Sequence, residues 1–479
     1  MTDERRRLST GVTGLDEVCL GGLRPGRVYA VRGDPGAGKT ILGYHWLTAD
    51  PDADALFVAF EESEADVRRN AAELGFDLAD IEVLDLSPAD ERFFEDDAYT
   101  VFTPDEVEQP TVTGQLAEAL ADDPPARVFV DPLSELRALS PDDHQFRRRT
   151  AALFGHLRRE GATVLFTTQP THDAPDDDLA FLADGSLDLR RSETGRTIEV
   201  TKFRGSDFRA GRHTLRITDT GLAVYPRLLP DSHEAAYDYG RLASGVAGLD
   251  DLLGGGIERG TVTVVSGPTG VGKSTTATQF LLAAAERGDR AVGYLFEESV
   301  ASLRHRSASI GMPLADVLES GDLHLQAVEP LALSPDEFAA RVREEVEERD
   351  TKVVLIDGTA GYRLSLQDER DDVVAELHAL CRYLRNVGVT VLLTEEVTTV
   401  TGPFSATEER VSYLADTLVF LRYVEVRGEM RKAIGVLKKR LGDFEPTLRR
   451  LRITDQGLRV GDPMSDLRGV LTGTPEVGE

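Results

Sequence analysis

The chain is poor in cysteine, lysine and long apolar runs, and each shortage excludes something. Its two cysteines, Cys19 and Cys381, fall in different halves of the 479 residues. A disulfide framework is therefore not expected, and a reducing cytoplasm is the expected compartment. No run of about 18 apolar residues occurs, so no transmembrane helix and no membrane partner are expected. The opening stretch, residues 1–7, is charged with no apolar segment behind it, so no secretory leader is expected. Basic charge is also short: 84 acidic residues stand against 54 basic ones, a formal net charge of −30. The acid is spread through both halves, with aspartate-rich strings (ADPDADA, APDDD, DERDD) and scarce lysine. Such a surface either repels anionic partners or keeps a protein soluble in a high-salt cytoplasm, and the aspartate bias favours a salt-adapted source. No basic stretch is interleaved with aromatics, so nucleic acid is not an expected partner.

What is present is one phosphate-binding stretch, carried twice. Gly33, Asp34, Pro35, Gly36, Ala37, Gly38, Lys39 and Thr40 fit G-x-x-x-x-G-K-S/T, and so do Gly267, Pro268, Thr269, Gly270, Val271, Gly272, Lys273 and Ser274. Glycines let successive backbone N–H groups turn toward one anion. Lys39 and Lys273 are placed to reach the β- and γ-phosphates of ATP, and the Thr40 and Ser274 hydroxyls to hold Mg2+. Short β-rich runs precede both loops (27–31 and 261–265), and helical patterns follow (41–48 and 275–285). Strand, loop and helix are the context this motif needs.

The rest of the chain repeats in the same order. Ser9–Asp16 (STGVTGLD) returns as 243–250 (ASGVAGLD), and FEES at 60–63 returns at 296–299. Lys39 returns as Lys273 (273 − 39 = 234), and Lys202 returns as Lys438 (438 − 202 = 236). The offset drifts by only a few residues, so this is a duplicated domain rather than a short-period solenoid. The expected organisation is 1–230 for the first domain, 231–460 for the second and 461–479 for a tail. Within each copy, apolar runs (56–60, 128–130, 163–167; 292–296, 353–356, 390–393) alternate with helical patterns such as 64–74 and 145–159. That alternation predicts an α/β fold: two tandem P-loop domains, each a mostly parallel sheet with helices on both faces. Ligands then belong at the carboxyl ends of the strands.

Three further recurrences carry chemistry. Asp131 and Asp357 end buried strands downstream of each P-loop, where a carboxylate holds Mg2+; the alternative is a helix N-cap. Glu61–Glu62 and Glu297–Glu298 end the second strand, where hydrolysis needs a base for the attacking water; the alternative is a solvated first helical turn. Lys202 with Arg204, and Lys438 with Arg440, lie late in each copy on an apparent strand. Alternate strand residues face one side, so each pair can point at one anion, as trans fingers into a neighbouring subunit; the alternative is paired surface charge. Arg147–Arg149, the nearest basic cluster, reads as a helix face.

Together the SxGxxGLD opening, P-loop, FEES element, strand-end Asp and late K-x-R resemble the KaiC branch of the RecA-like ATPases. Residues 421–437 and 453–475 look like the corresponding family segments. The resemblance implies a double-ring homohexamer with ATP between subunits and Mg2+ as cofactor. It implies ATPase activity in the first ring, and Ser/Thr autokinase activity as well in the second. It places a base and metal contact on Glu297 and a phosphoacceptor on Ser412, with Thr407 as a second family position. A neighbouring phosphoacceptor position is Tyr413 here, and an adenine-stacking position is Ile310. Thr168–Gln169 reads as the counterpart of Thr394–Glu395. Three functions follow as alternatives: an ATP-hydrolysing ring with autokinase activity, a signalling scaffold acting through partner proteins, and a DNA-dependent ATPase.

Overall fold

The computed structural model describes residues 7–87, 125–138, 140–169, 176–193, 195–229, 240–366, 373–397, 413–465, 467–468 and 476–477. The chain divides into two compact units, Met1–Arg227 and Leu228–Glu479.

The first unit is built on a nine-stranded sheet. From edge to edge it runs Glu82–Asp85, Ala55–Ala59, Arg127–Asp131, Thr163–Thr168, Val28–Gly33, Gly185–Arg191, Arg196–Phe203, Arg212–Thr218 and Gly221–Tyr225. The first six strands are mutually parallel, and the last three join antiparallel. The second unit repeats the order: Leu323–Ala327, Ala291–Leu295, Val353–Asp357, Thr390–Glu396, Val262–Gly267, Thr417–Val426, Glu429–Lys439, Arg449–Thr454 and Gly457–Pro463. The expected mostly parallel sheet is thus present twice, with an antiparallel meander at one edge of each.

The parallel strands are apolar without alternation because both faces are covered. Every residue of Ala55–Ala59 and of Val353–Asp357 is buried. Phe57, Phe129 and Leu165 belong to one core of the first unit, while Val58, Val130 and Phe166 belong to the core on the other face. Helix Lys39–Thr48 follows the first P-loop, and Lys273–Ala285 follows the second. The second of these is buried nearly all round by its Ala, Thr and Leu side chains. Ser63 and Ser299 cap the helices after the Glu pairs, accepting from Asp66 N and Ser302 N. The expected strands over 56–60 and 292–296 stop one residue early. Phe60 N and Phe296 N instead donate to Asp131 O and Asp357 O, at 3.0 and 3.1 Å.

Cys19 and Cys381 are both free and buried, one in each unit, and burial pushes each thiol up to about 12. Among the described residues, no helix is long and apolar enough to cross a membrane. Residues 461–463 finish a strand of the second sheet, and Leu467–Arg468 pairs with Glu476–Val477.

Candidate active sites

Each unit brings its P-loop, strand-end aspartate and glutamate pair to the carboxyl edge of its parallel strands. Gly33 has φ +149°, and a Cβ there would lie 2.2 Å from Leu189 O; at Gly267 (φ +156°) it would lie 2.5 Å from Leu421 O. Only glycine lets the loop turn this close to the neighbouring strand. Lys39 Nζ donates to Gly33 O at 2.7 Å and Asp34 O at 3.1 Å, and Lys273 Nζ to Pro268 O at 3.2 Å. Burial lowers the pKa of both lysines, against the pull of Asp131 on Lys39 and of Glu396 on Lys273. Among the described residues these ammonium groups hydrogen-bond to loop carbonyls, which phosphate oxygens can replace.

The P-loop hydroxyls meet the strand-end acids directly. Thr40 Oγ1 donates to Asp131 Oδ2 at 2.6 Å, and Ser274 Oγ to Asp357 Oδ1 at 2.9 Å. Thr167 donates to Asp131, and Thr394 to Asp357 Oδ1 at 2.6 Å. Burial pushes both aspartates above the usual carboxylate range despite these hydrogen bonds. A hydroxyl and a buried carboxylate within hydrogen-bond reach form the hard oxygen donor set that Mg2+ favours. Among the described residues, no group of three or more His, Cys, Asp or Glu forms a metal cage. The Thr40–Asp131 and Ser274–Asp357 donor sets fit Mg2+, which takes few protein oxygens and completes its shell with water and phosphate.

The two glutamates of each pair differ in the same way in both units. Glu62 accepts from Asn70 Nδ2 at 3.1 Å, and Glu298 is paired with Arg306 Nη2 at 2.7 Å. In each case the partner lies eight residues on, along the following helix. Glu61 and Glu297 interact with the P-loop lysines Lys39 and Lys273, and Glu62 lines the first P-loop pocket beside Glu61. Burial raises the Glu61 pKa, helped by Glu135, Asp131 and Glu62 and opposed by Lys39. Burial raises that of Glu297, helped by Asp357 and Glu396 and opposed by Lys273 and the Gly361 N–H. A Cβ on Gly358 would lie 2.7 Å from the Glu297 carboxylate, so that side chain rests on the backbone beside Asp357. A pocket of about 300 Å3 in the first unit is lined by Gly36, Lys39, Thr40, Glu61, Asp131 and Gln169, among others.

The strand register corrects one expected correspondence. Val31 pairs with Thr167 and Val265 with Thr394, so the counterpart of Thr394 is Thr167, not Thr168. Both threonines bind the strand-end aspartate, which is the physical basis of the match. Arg32 pairs with Thr168 and Ser266 with Glu395, so Gln169 stands where Glu396 stands.

The late Lys and Arg lie elsewhere. Lys202 Nζ donates to Ala180 O at 2.8 Å, and Lys438 Nζ to Ala415 O at 2.6 Å. Arg204 and Arg440 approach Asp184 and Asp416 at 3.7 and 3.4 Å. Those aspartates also accept from Val28 N and Val262 N, each at 3.1 Å, at the amino ends of the central strands. Gly33 and Gly267 lie five residues further along, about 16 Å at ~3.3 Å per residue. Each pair is therefore at the opposite edge of the sheet from its own unit's P-loop.

A family model described as "ATPase: KaiC" matches residues 8–228 and again 242–465. The chain belongs to the KaiC ATPase family. Similar proteins include the circadian clock oscillator protein KaiC of Acaryochloris marina (strain MBIC 11017). It is 28% identical over 496 residues, covering 98% of this chain and 92% of the relative. The protein of the same name from Synechococcus elongatus (strain ATCC 33912 / PCC 7942 / FACHB-805) is 27% identical over 495 residues, covering 98% and 92%. Circadian clock protein KaiC3 of Synechocystis sp. (strain ATCC 27184 / PCC 6803 / Kazusa) is 26% identical over 499 residues, covering 99% and 95%.

Within this KaiC-family chain, Ser412 and Thr407 lie outside the described residues. Tyr413 is 56% exposed, and Phe181 is 77% exposed three residues before Asp184, as Tyr413 is before Asp416. Ile310 caps its helix and packs against the core of the second unit. Arg147 lies in helix Asp143–Arg159 and pairs with Asp178 at 2.9 Å. Sequence reasoning missed Thr167, Glu135, Asn70, Arg306 and Glu396, and named Thr394 without its contact with Asp357. Recurrence at the common offset could have found Asn70 and Arg306 (306 − 70 = 236) as a pair of polar residues on one helix face.

Proposed function

We propose that both units bind Mg2+-ATP and hydrolyse it, with each site completed by a neighbouring copy of the chain in a ring, here taken as a hexamer. The observation that carries this reading is the convergence of Lys39, Thr40, Asp131 and Glu61, repeated by Lys273, Ser274, Asp357 and Glu297. The P-loop amides and lysine bind the β- and γ-phosphates. Thr40 with Asp131, and Ser274 with Asp357, would hold the metal, which would draw charge from the phosphate oxygens. Glu61 or Glu297 takes the proton of the attacking water as its oxygen bonds to the γ-phosphorus and the bond to the bridging oxygen of ADP breaks. Glu62 and Glu298, engaged by Asn70 and Arg306, position the helix behind them. The Lys202–Arg204 and Lys438–Arg440 pairs meet the γ-phosphate of the neighbouring copy. ADP release under Mg2+-ATP tests the assignment: Lys39→Ala and Lys273→Ala should each remove one unit's share. Undiminished turnover in the double variant would overturn it.

A second reading, Ser/Thr autophosphorylation in the second unit within a cytoplasmic signalling role, draws on the family resemblance and on one position; the relatives' names speak only of a circadian clock. Ser412 directly precedes Tyr413, which stands two residues before Ala415, whose carbonyl takes Lys438. Intact-mass spectrometry after incubation with Mg2+-ATP, on the parent and on Ser412→Ala and Thr407→Ala, decides it. A gain of one phosphate lost in either variant supports an autokinase; no gain while ADP accumulates leaves an ATPase. Stimulation of turnover by DNA would revive the alternative of a DNA-dependent ATPase.

A further inference from the structure

In the second unit, five arginines gather where the fold does not need them. Arg427, Arg431, Arg450, Arg452 and Arg459 line one cleft of about 540 Å3, together with Val426, Val460, Gly461, Asp462, Pro463 and Met464. Arg431 is paired with Glu429 at 2.9 Å, and Arg459 donates to Gln456. No ion pair is recorded for Arg427, Arg450 or Arg452 among the described residues. The Arg450 pKa is lowered by desolvation first, and then by the charges of Arg452 and Arg431. Like charges were thus collected in a chain that carries net −30.

The duplicated architecture shows that this collection is not structural. Leu215 pairs with Val224 in the first unit and Leu451 with Val460 in the second, fixing one offset for both strands (451 − 215 = 236; 460 − 224 = 236). At that offset Arg450 replaces Thr214, Arg459 replaces Ala223, and Arg452 answers Arg216. The same sheet therefore forms with fewer arginines. The neighbouring hairpin is also longer: its strands have 10 and 11 residues in the second unit against 7 and 8 in the first. The extension carries Arg427 to the tip, at φ +55°, followed by Gly428 at +80°. A two-residue turn with both φ positive favours Asn, Asp or Gly at that place, so an arginine there is held at some backbone cost. The other wall is apolar. Val426 and Met464 pack on Val424 and Ala433, and Val460 and Pro463 complete it.

We propose that this cleft binds a small organic oligophosphate. Guanidinium groups take phosphate oxygens in bidentate pairs, and several arginines around one cleft match two or more phosphates. The Val426, Val460, Pro463 and Met464 wall receives the ligand's apolar part. Asp462 in the lining, and Glu429 paired with Arg431, limit how much negative charge is favoured. The site lies outside both P-loops and does not depend on their hydrolysing ATP.

The test uses the full chain carrying Lys39→Ala and Lys273→Ala, in EDTA and at a salt concentration where it is folded. Inorganic tripolyphosphate is titrated by calorimetry, with sulfate as competitor. Saturable binding of one tripolyphosphate per chain is expected, weakened at least ten-fold by Arg450→Ala with Arg452→Ala. A similar loss is expected from Arg427→Ala with Arg459→Ala, at the hairpin tip and on the strand paired with Arg452. Circular dichroism checks that each variant is folded. Unchanged affinity in both folded variants would overturn the proposal, and so would equal competition by sulfate. A third overturning result is a change of assembly state in the variants with no tripolyphosphate bound by the parent, which would make the cleft a contact between copies.

Discussion

The Ser274 hydroxyl donates to Asp357 Oδ1 over 2.9 Å, and Asp357 is buried with its pKa pushed up by desolvation. A carboxylate kept there costs stability in the absence of metal. The sign follows from proton linkage: a raised folded pKa means that the folded state binds the proton more tightly than the unfolded one. Stability is then lost as pH rises from the unfolded aspartate range, about 3.9, through the folded value. Asp357→Asn removes that cost. In EDTA and without nucleotide, the variant is expected to melt higher than the parent at neutral pH. The gap should close in acid, and turnover at the second site should fall by about 10²-fold or more. Thermal unfolding across pH, with ADP release in a Lys39→Ala background, checks both halves. A variant melting lower throughout would show that the carboxylate is structural.

The glutamate pair gives a sharper contrast. Glu297 rests on Gly358 beside Asp357, whereas Glu298 is tied to Arg306. In the Lys39→Ala background, Glu297→Gln should lower kcat by roughly 10²- to 10⁴-fold, the usual worth of a general base. Glu298→Gln should lower it less than about ten-fold, because the amide still accepts from Arg306. Equal losses would sink the division of roles between neighbours.

Acid sensitivity should follow from the same site. The Glu297 carboxyl is raised above its ordinary range by burial and then by Asp357 and Glu396. A base works in its ionised form, so on acidification turnover should begin to fall at a higher pH than the ordinary glutamate value of about 4.3. Glu396→Gln removes one neighbouring negative charge and should shift that acid limb to lower pH. A pH–rate profile in which the limb stays put would mean that another group titrates there.

Much of this site was legible in the sequence because its parts are local. A P-loop is eight consecutive residues, and a strand-end aspartate follows an apolar run, so both survive without knowledge of the fold. The duplication made each feature visible twice. Thr167 and Thr394 were harder, because their role depends on pairing between strands far apart in the chain, and only register identifies them. The same register set Gln169 opposite Glu396, which motif spacing had displaced by one residue. Asn70 and Arg306 were missed because a polar residue in mid-helix has no signature until its carboxylate partner is placed. The cleft of five arginines comes from a hairpin extended in one copy, and a search for what the copies share passes over what only one has.

The placement of Lys438 and Arg440 at the far edge of the sheet leads to the last expectation. Their approach to Ala415 O and Asp416 puts them about 16 Å along the strands from their own P-loop. If they act, they act on another copy. A chain with Lys438→Ala and Arg440→Ala should lose second-unit turnover by about 10³-fold, as removal of an arginine finger does. A chain with Lys273→Ala should be equally silent there. Both carry Lys39→Ala, so that only the second unit is read. Mixing the two should restore part of the activity, because some interfaces then join an intact P-loop to an intact Lys–Arg pair. Size-exclusion chromatography with light scattering confirms that the chains co-assemble. Co-assembly without recovery would show that these residues serve their own unit or only hold its strand ends together, through Asp416 and Val262.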